Sequence, residues 1–191
     1  MTAPIGFVGL GRMGANMARR LKDCGYTIAA VYDISTELTQ QIAQELNAKA
    51  STTLADVTTQ VDVIFTVVTD DEAMEQIFYG AEDNLLQNSQ GKLFINCATI
   101  TPSVHITLSQ KAQAVGARVL ECPMASSIPQ ARQGTLYMMC AGDETVYQTA
   151  SPILDNLTTK RVYTGQAGSA ANLKAVVNMV MNMNTAALAE G

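Results

Sequence analysis

The feature that most constrains this chain is Gly9-Leu10-Gly11-Arg12-Met13-Gly14. It lies directly after the apolar run Ile5–Gly9 and directly before Ala15-Asn16-Met17-Ala18-Arg19-Arg20-Leu21. Such glycine spacing discriminates only when it follows a strand, opens a helix and has an acid about 20 residues further on. All three conditions hold, with Asp33 placed 19 residues after Gly14. Gly9 suits a tight turn. Gly11 removes a side chain where backbone must approach a pyrophosphate, and Gly14 lets the helix close on the strand. The amides at the helix start, with Leu10, Arg12 and Met13 between the glycines, then face the phosphate charge. A carboxylate at Asp33 can accept hydrogen bonds from ribose hydroxyls of an adenosine and repels a 2′-phosphate. Ile34, Ser35 and Thr36 offer no cation for such a phosphate, which favours NAD. Arg12 in the loop leaves NADP possible.

The rest of the chain alternates short apolar runs with longer amphipathic ones. Strands are expected at Ile5–Gly9, Thr27–Tyr32, Val61–Val68, Leu93–Asn96, Arg118–Glu121, Leu136–Ala141 and Arg161–Tyr163. Helices fit at Met13–Cys24, Glu37–Leu46, Asp71–Phe78, Ser103–Val115 and Glu144–Asn156. Strands alternating with helices imply crossover units and a parallel sheet. Near-continuous apolar strands imply that both faces are covered. The expected class is α/β, a Rossmann-like, doubly wound, mainly parallel sheet, over residues 1–164.

Bulk properties exclude several functions. Net charge is −5, from 12 Lys+Arg against 17 Asp+Glu, with no basic run, so nucleic acid is a poor partner. The four cysteines (Cys24, Cys97, Cys122, Cys140) form no Cys-x-x-Cys pair and share the chain with one histidine, which argues against zinc. They read as small buried hydrophobes in a reducing compartment. No basic segment followed by a long apolar run opens the chain, so no signal peptide is expected. No transmembrane span is expected either, and the chain reads as cytoplasmic.

From Gly168 onward the pattern is helical again, and Lys174, Asn178, Asn182 and Thr185 share one side. Nearly all other positions there are apolar, so a helix buried on most sides is expected. A lysine followed by amides is an unusual solvent face and a candidate site. Hydride exchange between an alcohol and a nicotinamide needs a group to carry the hydroxyl proton. The sole histidine, His105, has no partner motif and reads as a packing or surface residue. Partial burial lowers a lysine pKa toward the working pH, so Lys174 is the better acid/base.

Gly6–Ala18 resembles the opening of the β-hydroxyacid dehydrogenase family, which includes 3-hydroxyisobutyrate dehydrogenase, tartronate semialdehyde reductase and, more distantly, 6-phosphogluconate dehydrogenase. Three further stretches are similar to that family: Val68–Ala73, Asn96-Cys-Ala-Thr99-Ile-Thr-Pro102, and Gly165-x-x-Gly168 followed by Lys174 and Asn178. The resemblance implies a general acid/base role for Lys174 and a substrate-holding role for Asn178. It implies that Val67, Val68, Thr69 and Thr99 border the cofactor. The family's substrate motif Asp-x-Pro-Val-Ser-Gly-Gly corresponds to Glu121-Cys-Pro-Met-Ala125-Ser126-Ser127. Ala125 lacks the hydroxyl that the family uses on the substrate carboxylate; either a neighbouring hydroxyl substitutes or the substrate differs, and Ser126 and Ser127 are expected to contact the substrate.

Family members continue into an all-helical domain, so residues 165–191 are expected to be the first part of an interdomain helix of a truncated chain. Its apolar positions, among them Leu173, Val176, Val177, Val180 and Met181, are then expected to pair two copies as a homo-oligomer. The leading reading is an oxidoreductase that moves a hydride between NAD(P) and a small β-hydroxy acid or its semialdehyde. Three alternatives stay open: an imine reductase, whose relatives lack the lysine; oxidative decarboxylation of a phosphorylated sugar acid, for which Arg132 alone offers charge; and a dinucleotide-binding module without turnover.

Overall fold

The computed structural model describes residues 3–191, so Met1 and Thr2, where a leader would begin, lie outside the described residues. In chain order the elements are β1 (Ile5–Val8), α1 (Arg12–Asp23), β2 (Ile28–Tyr32), α2 (Thr36–Leu46), β3 (Lys49–Ala50), α3 (Leu54–Gln60), β4 (Val63–Thr66) and α4 (Asp71–Tyr79). They continue as β5 (Leu93–Asn96), α5 (Pro102–Ala114), β6 (Arg118–Glu121), α6 (Ile128–Gln133), β7 (Leu136–Gly142), α7 (Glu144–Leu154), β8 (Thr158–Tyr163) and α8 (Ser169–Glu190).

The strands form one eight-stranded sheet in the order β3-β2-β1-β4-β5-β6-β7-β8. Every neighbouring pair is parallel except β6 and β7, which run antiparallel. Strand order reverses between β1 and β4, and in open α/β sheets ligands bind outside the carboxyl ends of the strands at such a switch point.

Side chains alternate between two cores because successive strand residues point to opposite faces. Phe7, Phe65 and Ile95 enter the core under α1, α2 and α7. Val8, Ile64 and Phe94 enter the one under α3, α4 and α5. Phe7 and Phe65, register partners on β1 and β4, stack with centroids 4.9 Å apart and fix the two strands that make the switch point.

Several expectations need correction. The strand foreseen over Val61–Val68 is only Val63–Thr66. Val61 closes α3, and its partner strand β1 ends at Val8, so Val67 and Val68 leave the sheet. Gly9, foreseen in a strand, is in the left-handed region at φ 90° and turns the chain. The short elements β3, α3 and α6 carry too few residues to show a period, and none was foreseen. The last helix forms, but Val176, Met179, Val180, Met181 and Met183 are each about half exposed or more, so burial on most sides is not observed.

Candidate functional site

The glycine turn is built as a cradle. A side chain at Gly9 would stand 2.3 Å from the Val67 carbonyl oxygen, and one at Gly14 would stand 2.0 Å from the Gly9 carbonyl oxygen. The turn can therefore close against the β4 loop only with glycine at both places. Gly11 meets nothing within 4 Å, which is open space above the first amides of α1. Leu10 and Met13 pack toward the core and hold the turn from beneath, while Arg12 is exposed at the helix start.

Asp33 sits beside this cradle. Its Oδ2 accepts the Leu10 amide at 2.7 Å and its Oδ1 accepts the Ser35 amide at 3.0 Å. Two backbone donors thus fix the carboxylate and tie it to the glycine turn. Carboxylate oxygens keep further lone pairs for hydroxyl donors.

Two cavities meet here. One, of about 270 Å³, is lined by Gly9, Gly11, Asp33, Val67, Val68 and Thr69 among others. The other, of about 580 Å³, is lined by Thr69, Asp70, Asp71, Thr99, Ala171 and Asn178 among others. Thr69 belongs to both, so the two cavities adjoin at it, one reaching the acid at β2 and the other the helix that carries Asn178. Thr99 is exposed on its wall. Asp70 caps α4 by accepting the Ala73 amide, and Asp71 accepts the Thr101 amide at 2.8 Å, which links the loops after β4 and β5.

Lys174 is half-buried on α8, one turn before Asn178, and desolvation pushes its ammonium below the ordinary lysine pKa. Leu173 and Val177 of the same helix pack against the buried Met139, Ala141 and Ala170, and Ala125 packs against the same cluster. The structure thus brings Ala125 and the helix that carries Lys174 to one apolar cluster. Ser126 is next to it, and its Oγ accepts the Tyr137 amide at 2.8 Å, which leaves the hydroxyl hydrogen free to donate. Ser127 instead starts α6, where its amide and hydroxyl both reach the Gln130 side-chain oxygen. Of the two serines, Ser126 is the one whose hydroxyl can still turn to a ligand.

Sequence reasoning missed Glu121 and gave His105 no specific role. Glu121 is buried at the end of β6 and accepts the amides of Gly168 and Ala171, at the start of α8. His105 lies behind it, also buried, with Nε2 3.7 Å from the Glu121 carboxylate. A carboxylate followed by Cys-Pro carries no local sign of a partner 47 residues on.

The model of the NAD-binding domain of 6-phosphogluconate dehydrogenase matches residues 4–165. The chain belongs to that family. It is 31% identical over 190 residues to glyoxylate/succinic semialdehyde reductase 2 of Arabidopsis thaliana, covering 100% of this chain and 52% of the relative. It is likewise 31% identical over 188 residues to the cytokine-like nuclear factor N-PAC of Danio rerio, covering 98% of this chain and 40% of the relative. Among solved structures, 3-hydroxyisobutyrate dehydrogenase of Mycobacterium tuberculosis, determined with L-serine, superposes with a TM-score of 0.88 at 27% identity, covering 100% of this chain and 64% of that one. The chain spans about half the length of the enzyme relatives it matches. Among the described residues no helix is long and apolar enough to cross a membrane.

Proposed function

We propose that this chain is the dinucleotide-binding part of an oxidoreductase acting on a small β-hydroxy acid or its semialdehyde. The observation that carries the reading is a pair of cavities adjoining at Thr69, one lined by the glycine cradle and Asp33 and the other by Asn178 of the helix that also carries Lys174. Gly11, the first amides of α1, Asp33, Val67, Val68, Thr69 and Thr99 would hold NAD, with NADP the less favoured cofactor because no cation follows Asp33. A bound nicotinamide supplies or accepts the hydride. Lys174 carries the substrate hydroxyl proton, because burial brings its pKa toward neutrality. Asn178 holds the substrate oxygen, and Ser126 donates to its carboxylate beside Ala125, with Ser127 at the rim.

We divide the chain into a dinucleotide-binding domain over 1–164 and a helical segment over 165–191, a division supported by the family match ending at 165. We further propose that α8 is the start of an interdomain helix and that its exposed apolar side pairs two copies. We read the compartment as cytoplasmic, which suits three buried free thiols.

The test is calorimetric titration with NADH and NADPH, followed by steady-state assays on small hydroxy acids and their semialdehydes. Tighter NADH binding, and turnover that Lys174→Met lowers at least about 100-fold with cofactor affinity intact, supports the reading. Dinucleotide binding without turnover on any of these substrates favours a second reading, a binding module. Ala125, packed in an apolar cluster at the place where the family motif carries a serine hydroxyl, points that way.

A further inference from the structure

The first turn of α8 has no cap of its own. Its N-cap is Gly168, held at φ 89°, and no side-chain cap hydrogen bond is made there. A 22-residue helix concentrates partial positive charge at that end and leaves its first amides without intrahelical acceptors. The acceptor comes from another layer of the fold. Glu121 Oε2 accepts the Gly168 amide at 2.7 Å and Oε1 accepts the Ala171 amide. Lys174 follows Ala171 by three residues, about 4.5 Å along the axis. Asn178 follows one turn later and lines the cleft together with Ala171.

Behind the carboxylate lies His105 of α5, 1% exposed, with neither ring nitrogen hydrogen-bonded. Unpaired buried polar atoms carry a desolvation penalty, so this ring is retained at a cost. It fills the space between α5 and β6 at 3.7 Å from Glu121 Oε1 and offers it no hydrogen bond, so both oxygens stay turned to the α8 amides. The one charged group acting on His105 from outside the pair is Asp71.

We propose that Glu121, backed by His105, is the positioning residue of the Lys174 helix. It sets the height and azimuth of α8 over the sheet, and with them the depth at which the Lys174 ammonium sits. The inference rests on the assignment of Lys174 as the proton carrier. Its test reads the ionisation of Lys174 and not turnover, so failure of one is visible apart from failure of the other.

The experiment is a pH titration of lysine Cε resonances in the ¹³C-labelled chain, with Lys174 assigned among six lysines by comparison with Lys174→Arg. Glu121→Gln is near-isosteric and turns one of the two acceptors into a donor that faces an amide. If Glu121 positions the helix, α8 lifts, Lys174 gains water, and its pKa rises toward the ordinary lysine value by at least about 0.5 unit. NADH affinity, which depends on β1, β2 and β4, stays within about twofold. Glu121→Asp, which keeps the charge but shortens the reach, moves Lys174 in the same direction by less, and serves if the glutamine variant does not fold. Two results overturn the proposal. The first is a Lys174 pKa that stays put or falls in a folded variant; a fall would mean that Glu121 acts on Lys174 by charge alone. The second is loss of NADH binding in both variants, which would make Glu121 a general core residue.

Discussion

Replacing His105 with leucine changes how the fold responds to acid. Burial pushes the imidazole from 6.5 down to about 4, while the charge of Asp71 acts weakly in the opposite sense. In the unfolded chain the ring protonates near its ordinary pKa. Between the two values the unfolded state therefore binds more protons than the folded state, so stability rises with pH there and is lost as pH falls. Each pH unit in that window is worth up to about 1.4 kcal/mol, so about 2 kcal/mol is lost on going from neutrality to about pH 5. Leucine has no proton to bind and leaves no unpaired nitrogen, so His105→Leu is at least as stable as the parent at about pH 7 and loses about 2 kcal/mol less by about pH 5. Glu121 works in the opposite direction: burial raises its pKa against the pull of the Gly168 and Ala171 amides, so it favours the folded state in acid and less so as pH rises. Comparing the two proteins at each pH removes that contribution. The assay is urea unfolding followed by far-UV circular dichroism at both pH values. Parallel losses in parent and variant would show that His105 takes up its proton as easily in the fold as in the unfolded chain, and the reasoning from burial would fail.

Gly14→Ala places a methyl group 2.0 Å from the Gly9 carbonyl oxygen and should weaken NADH binding at least about tenfold in a titration, with the fold retained by circular dichroism. Asp33→Ser with Ile34→Arg replaces a fixed carboxylate by a hydroxyl and a cation at an exposed position; the ratio of NADPH to NADH affinity should rise at least about tenfold by calorimetry. Val180→Lys with Met183→Lys puts charge on the exposed side of α8; if two copies pair there as proposed, sedimentation should show the parent associated and the variant monomeric, with NADH binding kept.

The cofactor half of the cleft could be read from sequence because its determinants are local. Gly9 and Gly14 act through close backbone approach within one turn, and the Asp33 carboxylate accepts the Leu10 amide of that same turn. The alternating elements could be read as well, since their strands are apolar throughout because both faces of the sheet are covered. The bounds of the fourth strand failed for a tertiary reason: Val67 and Val68 are apolar enough for a strand, yet their neighbour β1 has already ended, so they line the cleft instead. Ser127, read as a ligand contact, also has a structural role as the N-cap of α6, which involves Gln130 three residues on and is visible only once α6 is known to start there. Glu121 and His105 could not be found by spacing, because what pairs them with each other and with Gly168 is the stacking of α5, β6 and α8.

The charge lining the cleft makes a demand on Lys174 that no single contact reveals. Among the described residues that line the two cavities there is no arginine or lysine, whereas Asp70, Asp71 and Glu72 are all present. Asp70 caps α4 through the Ala73 amide and Asp71 links two loops through the Thr101 amide, and both add negative potential to the cleft. Lys174 is not among the lining residues of either cavity, so on the proposed path an anionic substrate would reach its cation beside the lining Ala171 and Asn178, with Asn178 and Ser126 as neutral donors. Under the proposed function the protonated ammonium would serve twice, as the counter-charge and as the acid that completes reduction of a carbonyl. Since burial lowers the Lys174 pKa, its charged form is lost at lower pH than for an ordinary lysine. The rate of reduction at low substrate concentration should fall as pH rises through that lowered value, while the rate of oxidation, which needs the free amine, should rise over the same interval. Lys174→Arg stays protonated throughout, so its residual reduction should lose this dependence. A reduction rate in the parent that is flat from neutrality to the ordinary lysine pKa would remove Lys174 from the proton path.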